Sequence, residues 1–162
     1  MTRSRPITLA AMAAAVALAV AAFGSVATAA PATKARSATI KVAHSDLGKI
    51  LVDSRGRSLY MLSADSAKKS TCLGACVQAW PPLRATHKPT LGKGLKASKV
   101  GRIKRSDGNS QVTYNGHPLY RFVNDKKPGD TNGQGITAFG GRWFVLSPAG
   151  TKVSRGLSRA GY

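Results

Sequence analysis

Two stretches decide how this chain folds: VDSRGRSLYMLSADSAKKST, Val52 to Thr71, and VTYNGHPLYRFVNDKKPGDT, Val112 to Thr131. They lie sixty residues apart and align without a gap. Val52 matches Val112, Gly56 matches Gly116, Leu59-Tyr60 match Leu119-Tyr120, Asp65 matches Asp125 and Thr71 matches Thr131. The identities fall on a turn glycine, a strand and the acid after it, where a duplicated shape would hold them.

Each copy reads as a β-hairpin. In the second, Asn115-Gly116 is a strong two-residue turn signal, because a type I′ turn needs positive φ at both central positions. Gln111 to Tyr114 alternates before it, and Leu119 to Val123 continues as a strand after it. Pro118 has no N–H and belongs where that donor would face away from the ladder. In the first copy Arg55-Gly56 turns the chain between Ile50-Leu51-Val52 and Leu59 to Leu62. Further strands are expected at Thr39 to Ala43 and Arg142 to Leu146. Only Cys72 to Trp80 reads as helical, against Gly74. A lone hairpin is marginal in water. The expected fold is therefore mainly β, two repeated hairpins packed into one small antiparallel domain with at most one short helix.

Outward from the repeats the organisation is simple. Arg3 and Arg5, an apolar run from Ile7 to Phe23, and Ala27-Thr28-Ala29 spell an export signal over residues 1–29, cut before Ala30. A retained anchor would need about 20 apolar residues, and this run of small alanines falls short. No cysteine near the cut supports lipid attachment, and nothing later could span a bilayer. Residues 30–37 read as a flexible lead-in, 38–150 as the folded unit with repeats near 39–83 and 103–150, and 151–162 as a flexible basic tail. Lys88 to Gly101, rich in lysine and glycine, reads as a solvated connection. The protein is expected to be secreted or extracytoplasmic.

Charge is the loudest compositional fact. The chain carries 25 Lys plus Arg against 6 acids, all aspartate, for a formal net charge of +19. A field of that size draws a protein to anionic surfaces without specifying its fold. Anionic envelope polymer, acidic lipid or a protein partner all fit. No recognition fold or stacking-aromatic pattern points to specific nucleic-acid reading.

The chemistry-bearing residues are few. Cys72 and Cys76 in CLGAC read as a disulfide, since an even count in an exported chain favours one. Its short loop stabilises by on the order of 2–3 kcal/mol. Side chains four apart on a regular helix do not readily meet a disulfide's torsion, so a bridge implies a turn or distorted helix there. The alternative is an envelope redox or metal-handling role for this pair, joined by His87 or His117. CxxC and CxxCH are both missing, however, and His44, His87 and His117 are scattered through the sequence. Asp130 to Gly135 imitates the start of a calcium loop, but its twelfth place is Gly141 where a bidentate glutamate belongs. No hydrolase signature is present, so the chain reads as non-enzymatic, with no metal site and no cofactor assigned.

The aromatic positions read chiefly as core and cross-strand pairs. Tyr60 with Asp65, and Tyr120 with Asp125, recur as Y-x-x-x-x-D. The aspartate is suited to cap backbone N–H groups of the following turn, and the recurrence keeps a ligand role open.

YRFVND (Tyr120 to Asp125), CLGACVQAWPPL (Cys72 to Leu83), and GDTNGQG followed by GGRWFVLSPAG together resemble a bacterial family known as a secreted repeat of unknown function. Its members are also described as predicted lipoproteins with a Yx(F/W/Y)xxD motif. The motif positions here are Tyr60, Leu62 and Asp65, then Tyr120, Phe122 and Asp125. Leu62 departs from the aromatic preference, and the lipobox cysteine of many members is missing. The resemblance implies export, a repeat and a single domain; it implies no reaction and no cofactor.

Overall fold

A computed structural model describes residues 37–157, all within one unit of the chain. The expected export signal and nearly all of the lead-in lie outside the described residues, as do the last five. In chain order the elements are β1 (Thr39–Ser45), β2 (Gly48–Val52), β3 (Tyr60–Leu62), α1 (Ala75–Ala79), β4 (Thr90–Leu91), β5 (Val100–Lys104), β6 (Ser110–Tyr114), β7 (His117–Pro118), β8 (Thr137–Ala138) and β9 (Gly141–Val145), with a 3₁₀ turn at Ala97–Lys99. The fold is mainly β, as the sequence predicts. The strands form three small sheets in the orders β2-β1-β4, β3-β9-β8 and β5-β6-β7.

Both predicted turns are made. Asn115 and Gly116 have φ of 50° and 82°, the two positive values a type I′ turn requires. β6 folds back on β7 with Tyr114 opposite His117 and Thr113 opposite Pro118. In the first copy Asp53 N–H donates to Arg57 O at 2.9 Å and Leu59 N–H to Leu51 O at 2.9 Å. Here Asp53 Oδ1 fastens the turn, accepting the N–H groups of Arg55 (2.8 Å) and Arg57 (3.1 Å).

The apolar runs ILV (50–52), LYML (59–62) and WFVL (143–146) do not alternate, and the structure gives the reason. Successive strand side chains point to opposite faces, and here both faces are covered. Ile50, Val52, Tyr60, Leu62, Trp143 and Val145 enter one apolar cluster, while Leu51, Leu59, Met61, Phe144 and Leu146 enter another. Each cluster draws on both copies: Val112, Tyr114 and Leu119 join the second, and Tyr120 the first. Fully burying a side chain of this size is worth about 1.5–3 kcal/mol, so this double core binds the hairpins into one body.

Four expectations are corrected. The stretch read as a solvated connection holds β4, paired parallel to β1 through Thr39–Thr90 and Ile40–Leu91, and the start of β5. Two residues are too short to show a period, and β5 buries only Ile103 amid its cations. The helix is confined to Ala75–Ala79, because Gly74 (φ 54°) holds a non-helical conformation. The strand expected over Leu119 to Val123 does not form: β7 ends at Pro118, and beyond it the Tyr120 backbone bridges to Tyr60 while Arg121 N–H turns to Pro81 O. Past Gly150 the chain stays paired: Lys152 bridges Leu146, Val153 N–H donates to Val145 O at 2.9 Å, and Leu157 packs on the core.

Candidate functional site

The repeated tyrosines meet at the centre. Tyr60 and Tyr120 face each other as an antiparallel pair, each N–H donating to the other's carbonyl at 2.9 Å. Their side chains then reach across copies. Tyr60 Oη donates to Asp125 Oδ2 at 2.7 Å, and Tyr120 Oη to Asp65 Oδ2 at 2.5 Å. Within the sequence each tyrosine is followed by its own aspartate; in the fold the pairs are crossed. Both phenols are fully buried, and an unpaired buried hydroxyl would cost about 1–3 kcal/mol.

Each carboxylate also holds its own loop. Asp65 Oδ1 accepts from Thr71 N–H (2.7 Å) and Oγ1 (2.8 Å), and Asp125 Oδ1 accepts from Asn132 N–H at 2.9 Å. Burial pushes both phenols well above their ordinary pKa, and the adjacent aspartates push them further. They therefore stay protonated donors at neutral pH. Burial also raises the Asp125 carboxyl, against the pull of the bonds from Tyr60 and Asn132.

Around this lock lies an aromatic cluster. Trp80 stacks on Trp143 at 3.9 Å between centroids and on Phe122 at 4.2 Å, and Tyr60 meets its edge at 5.3 Å. Phe122 is thus the aromatic of the second motif, while Leu62 fills the first motif's place in the same cluster. The glycine-rich loop closes over it. A Cβ on Gly133 would come within 2.6 Å of the Trp80 ring and 3.0 Å of Tyr60, and Gly133 N–H donates to Tyr60 Oη at 3.2 Å. The calcium-like segment is thereby accounted for: Asp130 Oδ2 accepts N–H groups of Lys126 and Lys127, and Gln134 ties to Val153, Arg155 and Val145.

Cys72 and Cys76 are disulfide-bonded, Cα atoms 5.2 Å apart, and both are buried in this cluster. Among the described residues no three of His, Cys, Asp or Glu come together as a metal set. His117 lies half-buried, its pKa lowered by that burial against the charge of Asp65; His44 and His87 are exposed.

Sequence reasoning misses Arg105 altogether. Its side chain is fully buried, with Nη1 donating to Ser70 Oγ (2.7 Å) and Gln111 Oε1 (2.6 Å), Nη2 to the Cys72 carbonyl (2.6 Å) and Nε to Asp107 (3.1 Å). Ser70 in turn meets Tyr120 Oη at 2.7 Å. A buried guanidinium thus stands behind one of the two crossed pairs. Nothing in a chain with 25 cations singles this one out.

A sequence profile of a family described as a secreted repeat of unknown function matches residues 41–84 and again 101–147. The two matches cover more than half of the chain. The chain belongs to this family. No curated protein and no solved structure matches significantly. The two matched segments are the two structural copies: the first runs from β1 to Arg84 with Tyr60 and Asp65, the second from β5 past β9 with Tyr120 and Asp125. In this member of the family, then, the repeat is a pair of interlocked halves. No helix among the described residues is long and apolar enough to cross a membrane.

Proposed function

We propose that this chain is a non-enzymatic extracytoplasmic module that associates through its basic surface with an anionic polymer of the cell envelope. The observation that carries the reading is how the six aspartates are used. Asp53 fastens a turn and two arginines; Asp65 and Asp125 take the tyrosines; Asp107 and Asp130 hold backbone N–H groups of their loops. Five of the six are thus committed to folding. Among the described residues the only ion pairs involve Arg57, Arg84, Arg105 and Arg121, and no lysine has a carboxylate within 4.0 Å. The lysine charge is therefore left facing solvent. The tyrosines and aspartates that recur are occupied with each other, which leaves the surface as the part free to bind.

The envelope redox or metal alternative has less in its favour. It rests on the Cys72/Cys76 pair, and both sulfurs are bonded to each other and buried.

Retention of the purified chain on isolated cell wall, followed from about 20 to about 500 mM salt, tests the reading. Screening shortens the reach of surface charge from roughly 20 Å to a few ångströms over that range. Retention is expected at the low end and release at the high end. An absence of retention at low salt would overturn it.

A further inference from the structure

The positive charge is not spread evenly. At the turn of the first copy Asp53 lies 2% exposed, and its Oδ2 accepts from Arg57 Nε (2.9 Å) and Nη2 (2.6 Å) and from Arg121 Nε (2.7 Å). Arg121 comes from the second copy, so the cluster sits where the copies meet. Beside it is a cavity of about 330 Å³ whose lining includes Arg55, Arg57, Arg84 and Arg121. Arg57 and Arg121 are part-buried at 34% and 24% exposure, whereas Arg55 and Arg84 are exposed.

The charges do not cancel. Four guanidinium groups face one carboxylate, and that carboxylate already accepts five hydrogen bonds. Arg84 has only a distant partner in Asp107, at 3.9 Å. Both Asp53-bound arginines are gripped partly or wholly through Nε. Among the described residues this leaves Arg121 Nη1 and Nη2 and Arg57 Nη1 without a hydrogen-bond partner. Burial and the neighbouring Arg57 and Arg55 weaken the hold of Arg121 on its proton, opposed by Asp53; an incoming anion would relieve that repulsion.

The hairpin shape as such does not call for the arginines. Sixty residues on, Thr113, Asn115 and His117 stand in place of Asp53, Arg55 and Arg57, and the second turn closes without them. The counterpart of Arg121 in the first copy is Met61, a core residue. The scaffold positions are shared and the arginine positions are not.

We propose that this pocket, built by the first copy and completed by Arg121 of the second, binds a phosphate ester. Planar guanidinium forks, pre-set by a buried acid, suit the several oxygens of a phosphate better than a point charge would. The cavity also leaves room for a small polyol substituent beside the phosphate. The inference deepens the reading of the chain as a binder of anionic envelope polymers and gives that binding a defined seat.

Calorimetric titration of the purified chain with glycerol 3-phosphate at low salt tests it, beside acetate as a carboxylate control. Arg55→Gln with Arg84→Gln removes two exposed arginines and leaves the Asp53 cluster intact. Lys93→Gln with Lys96→Gln removes the same charge from an exposed segment outside the pocket. The arginine pair is expected to weaken glycerol 3-phosphate binding by about tenfold or more, and the lysine pair by less than about twofold. Equal losses in the two variants, acetate binding as tightly as the ester, or no binding by the unaltered chain would each overturn the proposal. A glycerol-phosphate polymer that binds more tightly per phosphate than the monoester identifies a polymer as the source, and equal affinity a free ester; both uphold the pocket. If the unaltered chain ignores glycerol 3-phosphate but is still held on cell wall at low salt, the pocket falls and the surface reading stands. If neither is seen, both fall.

Discussion

The two crossed tyrosine–aspartate pairs are chemically the same and physically different. Tyr60 donates to Asp125, which is buried, and its hydroxyl is backed by the Gly133 N–H. Tyr120 donates to Asp65, which is half-buried, and its hydroxyl is backed by Ser70 and, through it, by buried Arg105. One lock closes on backbone and burial, the other on an internal cation. A duplicated motif thus fixes which groups meet, while each copy's surroundings fix what holds them there.

The largest effect expected from breaking this asymmetry lies at Arg105. Arg105→Met strips Ser70, Gln111 and the Cys72 carbonyl of a buried donor at once, and should destabilise by about 3–5 kcal/mol. The matched position in the first copy is Ser45, a half-buried hydroxyl bonded to the Gly48 carbonyl and the Leu47 N–H. Ser45→Ala should cost only about 1 kcal/mol. Urea unfolding of the two variants measures the contrast; comparable losses would mean Arg105 is not the keystone of its half.

A smaller effect separates two aspartates by pH. The Asp125 carboxyl is raised above the ordinary 3.8, so the folded state holds its proton more tightly than the unfolded state does. The stability this contributes is present below 3.8 and is lost as pH rises through the raised value. Asp53 goes the other way. Burial would raise it, but the bonds from Arg57, Arg121 and two backbone N–H groups hold it below 3.8. Its contribution is present above 3.8 and is lost as pH falls through the lowered value. Unfolding free energies at about pH 3.5 and about pH 6.5 test both. Relative to the unaltered chain, Asp125→Asn should gain on going to the higher pH and Asp53→Asn should lose. Parallel changes in the two variants would contradict the assignment.

Much of the frame was legible in the sequence because it is local. Asn115-Gly116 requires positive φ from its own two residues, and Cys72 and Cys76 are close in the chain, so neither depends on distant contacts. β1 and β9 were also expected, over Thr39 to Ala43 and Arg142 to Leu146. The crossing of the tyrosines was not, because Tyr60 and Asp125 are 65 residues apart and the nearer Asp65 offered the simpler pairing. Arg105 and the arginine pocket were hidden for another reason: in a chain this basic, a cation that is buried or clustered reads like any other. β4 escaped notice because two residues, paired parallel to β1, carry no pattern of their own.

The crossing itself is tested most directly by double-mutant cycles on unfolding free energy, Tyr60→Phe combined in turn with Asp125→Asn and with Asp65→Asn. Tyr60 and Asp125 should couple by on the order of 1 kcal/mol, while Tyr60 and Asp65 should be additive within about 0.5 kcal/mol. Coupling of Tyr60 to Asp65, with none to Asp125, would mean that each copy closes on itself and that the two halves are not interlocked.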